Sequence, residues 1–260
     1  VKTEIDVGVP GKFSVFNSLC ALTAAACARV DLPCELVING DEPAHKEGNL
    51  LLAQLLGTKL HFLGPCDGDT RNRHMEELLN KYQSEGERPF AVRNGATTGR
   101  GALGYTSAVV ELYHQCQELG LQGMTLFAPG GNGGVAAGLV YGNALMGNPF
   151  QLVIVSVEDD RSTLERHIRE TIREAEKITG IPMEEPASGV WEITDAYRGD
   201  GWGQNTRESV QEVLDFPRRE GIFIENVYNS KVLVGMKDWV ASGRVTGPVC
   251  YLHTCGLGSL

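Results

Sequence analysis

The sequence predicts an α/β protein with mainly parallel sheets, arranged in two lobes. Two observations lead there. Apolar runs of strand length alternate with helix-periodic segments along most of the 260 residues, the pattern of parallel strands joined by helical crossovers. Near the middle, an apolar run from Met124 to Phe127 enters the glycine-rich stretch Ala128-Pro-Gly-Gly-Asn-Gly-Gly-Val-Ala-Ala-Gly138, then a helix of small residues, then a second apolar run. Strand, loop, helix and strand make one compact crossover over Phe127 to Val157, resembling half of a nucleotide or cofactor fold.

In chain order, the pattern predicts a helix over 17–31, a strand at 33–38, a helix at 48–57, a strand at 59–63, a helix at 71–84 and a strand at 89–93. After the loop-rich 94–100 come a helix at 103–119, a strand at 124–128, the glycine loop, a helix at 135–146 and a strand at 151–157. A charged helix follows from Ser162 to Thr179, with apolar residues at Leu164, Ile168, Ile172 and Ala175. That narrow stripe predicts a surface helix, with partner binding as its alternative. Between Pro182 and Gly203 the period fades among glycines and prolines, as in functional loops. Helices at 206–216 and 230–242 and a last strand from Val249 to His253 close the chain. Residues 1–92 read as the smaller lobe and 93–260 as the larger.

A hydrophobic content of 42% is that of an ordinary globular protein. The net charge of -10, with no basic block, argues against a nucleic-acid surface. No apolar run approaches the length of a membrane span. The seven cysteines are odd in number, widely spread and set mostly in apolar contexts, so they predict free thiols in a reducing intracellular compartment, cytoplasmic or organellar. No spacing of Cys or His suggests a metal centre.

The glycine loop is the strongest chemical signal. Glycines permit positive φ and close approach, and the first turn of the following helix presents unpaired N–H groups at its positive end, so the pattern points to a bound phosphate. A plain tight turn is the alternative. The Walker pattern is absent, and the acids at Glu158-Asp159-Asp160 come slightly late for a dinucleotide fold, which wants one about 20 residues beyond its loop.

Several segments together resemble the tryptophan-synthase-β-like (fold type II) pyridoxal-phosphate enzymes, in particular the D-cysteine desulfhydrase and 1-aminocyclopropane-1-carboxylate deaminase group. They are Gly48 to Gly57, Gly101-Ala-Leu-Gly-Tyr105, Gly133-Gly-Val-Ala-Ala-Gly-Leu139, the Tyr197 to Gly203 stretch, Glu220-Gly-Ile-Phe-Ile-Glu-Asn-Val-Tyr-Asn-Ser-Lys231 and His253-Thr-Cys-Gly256, in the family's order. The resemblance implies pyridoxal 5'-phosphate as cofactor, with its phosphate on Gly130, Gly131, Asn132, Gly133 and Gly134 and its ring nitrogen facing Thr254. It places Tyr228 on the substrate side, and Asn17 and Ser18 where the family's Ser and Asn serve substrate and cofactor. Lys231, after Tyr228, looks structural.

The sequence also departs from the family. No counterpart exists to the Gly-Asn-Lys-x-Arg-Lys segment whose lysine binds the cofactor covalently, so an N-terminal segment reads as missing. The family's Ser-Asn-His is replaced by Asn17-Ser18-Leu19, a phosphate-binding Thr by Val135, a common Tyr by Trp202 and a Pro by Asn226. Lys12 is the one positionally tempting substitute, with a solvated loop lysine as its bland alternative. His253 is open as a general base or a core histidine. Asp159-Asp160 and Glu184-Glu185 read as solvated carboxylates. The sequence therefore leads to a degenerate, non-catalytic relative acting as a structural or assembly subunit, with protein partners in a homodimer or larger assembly. The alternatives are an active lyase or deaminase on a small amino acid, its lysine on a missing segment, and a binder of another phosphorylated metabolite.

Overall fold

The computed structural model describes Ala24 and residues 27–254, apart from the side chains of Gly48 and Asn49. The chain divides into two compact units at the Val92/Arg93 boundary.

In the first unit, β1 (Glu35–Ile38) and β2 (Lys59–Phe62) pair in parallel, Glu35 opposite Lys59 and Ile38 opposite Phe62. Helices α1 (Gly48–Leu55) and α2 (Gly68–Ser84) flank β2 in the chain, and Asp67 caps α2 by accepting from the Thr70 N–H at 2.8 Å. Glu35 ties these elements together. Its carboxylate accepts from the Tyr82 hydroxyl on α2, from His61 at 2.7 Å and from Lys59 at 3.3 Å on β2.

The second unit holds a four-stranded, wholly parallel sheet. Its elements are α3 (Gly99–Leu119), β3 (Thr125–Gly130), α4 (Gly134–Leu145), β4 (Gln151–Ser156), α5 (Arg161–Thr179), β5 (Trp191–Thr194), α6 (Arg207–Glu220), α7 (Asn229–Ala241) and β6 (Val249–Tyr251). Strand order is β5-β4-β3-β6, so both central strands belong to the glycine-loop crossover. β3 and β4 are buried almost throughout, as a sheet covered on both faces requires. One cover is α7, whose Val232 and Trp239 pack on Phe127, Val153 and Val155. Another is α5, which buries Leu164, Ile168, Ile172 and Ala175.

Helices α3 and α4 approach through glycine. A Cβ on Gly138 would meet the Ala102 carbonyl oxygen at 2.1 Å and Tyr105 Cβ at 2.6 Å, and one on Gly142 would meet Thr106 Cα at 2.9 Å. The Gly101-Ala-Leu-Gly-Tyr105 motif is the facing surface, with Ala102 and Tyr105 buried. Gly99 makes a further close approach, since a Cβ there would lie 2.4 Å from the backbone of Ala175 on α5.

Three expectations need amending. Residues 89–93 form no strand: no described strand pairs with them, and Phe90 and Val92 are exposed. The stretch from Pro182 to Gly203 contains β5, an edge strand of only four residues whose polar members Glu192 and Thr194 hide its period. Helix α6 runs past 216 to Glu220, because Pro217 removes one donor near the helix end and Gly221 closes it onto the Pro217 carbonyl at 3.0 Å. The 17–31 helix lies mostly outside the described residues; Ala24 and residues 27–29 are helical. Among the described residues no helix is long and apolar enough to cross a membrane.

If the α3–α4 contact fixes this unit, Gly138→Ala should lower its unfolding free energy by about 1–3 kcal/mol, the cost of overpacking. Urea unfolding followed by circular dichroism measures this, and an unchanged midpoint would show that the helices do not lie so close.

Candidate functional site

The glycine loop has the geometry of an anion cradle. β3 ends at Gly130, and Gly133 caps α4 with φ 86°, offering no side-chain hydrogen bond to the first turn. The helices around it are treated differently: Thr98, Asp160 and Thr206 each cap their own helix with a side-chain oxygen. The first-turn N–H groups of α4 are thus left for a ligand, at the positive end of the helix. Side chains would fill the space. A Cβ on Gly130 would strike Leu164 Cδ2 at 2.5 Å, one on Gly131 would meet Tyr228 Cε1 at 3.2 Å, and one on Gly134 would meet the Thr97 hydroxyl oxygen at 3.1 Å. Asn132 turns towards the 94–98 turn, its Nδ2 lying 3.3 Å from a Cβ position on Gly95. These residues fit a phosphate group, with Thr97 placing a hydroxyl at the helix start even though Val135 carries none.

Tyr228 stands over the loop at the end of the chain leading into α7. Its hydroxyl oxygen accepts from the Trp202 indole N–H at 2.8 Å. Burial raises its pKa, with the Trp202 bond opposing and the charges of Glu158 and Glu225 adding to the rise, so the phenol holds its proton. Glu158, just past β4, is the acid nearest the loop: its Oε2 is 4.0 Å from a Cβ position on Gly131. Its pKa is also raised, by burial first and by Asp159 second, with His167 opposing.

Two buried charges hold this end of the sheet. Lys231 is wholly buried, and its ammonium donates to the carbonyls of Arg198 at 2.6 Å, Gly201 at 2.9 Å and Val157 at 3.4 Å. It therefore clips the Arg198–Gly203 loop to the end of β4, which is the structural role its motif implied. Burial lowers its pKa, and Glu225 opposes that shift. Glu225, equally buried, accepts from the backbone N–H of Val227 at 2.5 Å, Tyr228 at 3.0 Å and Asn229 at 2.7 Å, and from Asn229 Nδ2 at 2.8 Å. This carboxylate anchors the start of α7 and so aims Tyr228. Asn229 Oδ1 in turn accepts from the Tyr251 hydroxyl and from the Thr254 N–H at 3.3 Å, joining α7 to the end of β6.

The structure thus gathers Gly130, Gly131, Asn132, Gly133, Gly134 and Tyr228 at one place, with Thr254 bound to the residue after Tyr228. Asn17 and Ser18 lie outside the described residues, as does Lys12. His253 Nε2 pairs with the Phe223 carbonyl at 3.0 Å and its ring lies 5.8 Å from that of Tyr251, a packing position rather than a free base. Asp160 is exposed, as expected of a solvated carboxylate, and it also caps α5, accepting from the Thr163 N–H at 3.0 Å and from Ser162 Oγ at 2.5 Å; these bonds hold its carboxyl far below the usual range. Glu185 binds Arg169 through both oxygens at 3.0 and 3.1 Å. Sequence reasoning missed Thr97 and the Glu225–Asn229 pair, and it weighed Glu158 only as an acid slightly late for a dinucleotide fold. Only the Glu225–Asn229 pair left a signal, its place beside Tyr228 in the motif Glu220 to Lys231 that carries the resemblance.

Removing the clip should be costly. Lys231→Met leaves buried carbonyls without a donor, so a loss of about 2–4 kcal/mol is expected, with faster hydrogen exchange confined first to residues 198–203. Unfolding and exchange mass spectrometry test this; unchanged exchange in that loop would remove the clip from the account.

Comparison with known proteins agrees with the site. A family model described as "Pyridoxal-phosphate dependent enzyme" matches residues 17–254. A Pyrococcus abyssi protein provisionally named as a 1-aminocyclopropane-1-carboxylate deaminase is 25% identical over 244 residues, covering 94% of this chain and 72% of that protein. A Pyrococcus horikoshii protein of the same provisional name is also 25% identical over 94% of this chain and 72% of its own length. The crystal structure of an ACC deaminase homologue superimposes with a TM-score of 0.81 at 26% identity, over 94% of this chain and 72% of the other. A hydrogen sulfide-producing enzyme from Fusobacterium nucleatum shares the fold at a TM-score of 0.59 and 13% identity, over 92% and 74% of the two chains. With its parallel α/β sheet and glycine cradle, the chain belongs to the pyridoxal-phosphate dependent enzyme family, in its fold type II, ACC deaminase-like branch.

Proposed function

We propose that this chain keeps the cofactor cradle of the 1-aminocyclopropane-1-carboxylate deaminase-like proteins, is not itself a catalyst, and serves as a structural or assembly subunit. The observation that carries this reading is the state of the lysines around the cradle. Lys231 has its ammonium taken up by three carbonyl oxygens, Lys237 pairs with Glu212, and Lys177 is exposed near the end of α5. Among the described residues of this unit, none offers a free amine at the glycine loop. Pyridoxal phosphate, joined to an amine, supplies an electron sink for reactions at an amino acid's α-carbon. The residues of this chain bind and orient it. The N–H groups from Gly131 to Val135 take the phosphate, Thr97 adds a hydroxyl, and Thr254 faces the ring nitrogen as the family resemblance implies. The Val135 side chain brings no hydrogen bond where the family resemblance implies a Thr hydroxyl, which weakens the hold.

A second reading is favoured by Tyr228. Its phenol is protonated, half-buried and aimed over the loop, which suits an acid acting on a small amino acid if a lysine arrives from a segment or chain beyond the described residues. The two readings part on one experiment. The protein is mixed with pyridoxal phosphate, treated with borohydride, denatured and weighed. The first reading expects a perturbed cofactor spectrum with no retained mass, and no ammonia from 1-aminocyclopropane-1-carboxylate or D-cysteine. A pyridoxyl adduct on a single lysine, with ammonia released, would overturn it in favour of the second.

A further inference from the structure

Glu158 sets an acid against an anion site. Its Oε2 lies 4.0 Å from a Cβ position on Gly131, the same glycine whose Cβ position Tyr228 Cε1 approaches to 3.2 Å. The side chain is held there by its backbone. The Glu158 carbonyl accepts from Arg198 Nη1 at 3.1 Å and lies 3.6 Å from a Cβ position on Gly201, within the loop that Lys231 clips. Neither carboxyl oxygen receives a hydrogen bond from the described residues. The groups facing it from its surroundings are mixed. Asp159 follows it and lies 3.3 Å from His167 Nδ1 on α5, and Arg166 Nη2 is 3.2 Å from the other nitrogen of that ring. Arg198 and Asp200 belong to the clipped loop, and Tyr228 and Glu225 to the start of α7.

An ionised carboxylate in that place repels a phosphate, whereas a protonated one donates a hydrogen bond to it. Among the described residues no cation is bonded to the Glu158 carboxyl to resolve the conflict. We propose that Glu158 makes anion binding at the glycine loop proton-coupled: the site takes a phosphate or sulfate group together with one proton, which Glu158 holds and donates to a bound oxygen. The inference rests on the reading of the loop as a phosphate cradle. Burial first and Asp159 second raise the Glu158 pKa before any ligand arrives, with His167 opposing, which lessens the cost of taking up the proton. Binding raises the Glu158 pKa further, so affinity is full below its ligand-free titration and falls as pH rises above it.

Inorganic sulfate is the suitable probe, because its charge does not change where that of a phosphate ester, with a second pKa of about 6, does. Sulfate affinity of the whole chain is measured by calorimetry from about pH 5 to about pH 8, in buffers of different ionisation heat. Wild type should lose about tenfold in affinity per pH unit above the titration, with about one proton taken up per sulfate. Glu158→Gln, which keeps the shape and the donor, should bind with a pH dependence flattened to within about twofold, and His167→Gln should retain the wild-type slope. A flat wild-type profile with no proton uptake overturns the proposal, as does a slope that survives in Glu158→Gln or vanishes in His167→Gln. Those results leave the cradle itself standing, since sulfate still binds. If neither sulfate nor pyridoxal phosphate binds any of the three proteins, the cradle reading fails and this inference with it.

Discussion

The site depends on close approach of backbone to backbone around α4. Gly138 and Gly142 bring α4 against α3, Gly130 ends β3 under Leu164 and Ile154, and Gly133 turns the chain at φ 86° into the helix. Any Cβ at these places meets an atom inside contact distance, so the whole arrangement is set by what is missing from the side chains. Because the helix lies so close to the sheet end, its unpaired N–H groups converge on one spot. The turn from Asn94 to Thr98 is brought in by the same packing, which is how Thr97 reaches Gly134.

Charge then completes what packing begins. Glu225 neutralises the start of α7 and Lys231 gathers three carbonyls that would otherwise be orphaned in the interior. Each is a buried charge satisfied by backbone dipoles rather than by a direct ion pair, an arrangement that fixes loop positions more than it adds stability. Their joint product is the placement of Tyr228 over the glycine loop with Trp202 bonded to its oxygen. In this way the buried acid and lysine of one sequence motif fix where its tyrosine stands. Among the described residues no hydrogen bond reaches the Glu158 carboxyl beside the loop, and there that order is incomplete.

Much of this was legible in the sequence, and the exceptions have physical causes. The β3–α4–β4 crossover was plain because buried parallel strands are continuous apolar runs, and the glycine loop because its glycines cluster between strand and helix, with a plain tight turn as the alternative. The stripe Leu164, Ile168, Ile172 and Ala175 is the buried face of α5. β5 was hidden because an edge strand pairs on one side only and Trp191-Glu-Ile-Thr194 alternates too briefly to stand out. Phe90 and Val92 misled because apolar residues imply a strand only where a partner strand exists. Thr97 could not be seen, since it meets the loop from outside the crossover and a hydroxyl has no sequence period, and Glu158 read only as an acid slightly late for a dinucleotide fold. Asp160 and Glu185 are solvent-facing as expected, and only their local pairing, a helix cap and a bidentate arginine, left no mark on composition.

The central claim is that the uncapped start of α4 receives the phosphate of the cofactor. Backbone amide resonances of the isotope-labelled protein, followed while pyridoxal phosphate is added, test it most directly. The account expects the largest shifts at Gly131 to Ala136, with the Thr97 amide next, and much smaller shifts when pyridoxal without its phosphate is used. Equal shifts with both compounds, or shifts centred away from the glycine loop, would contradict it.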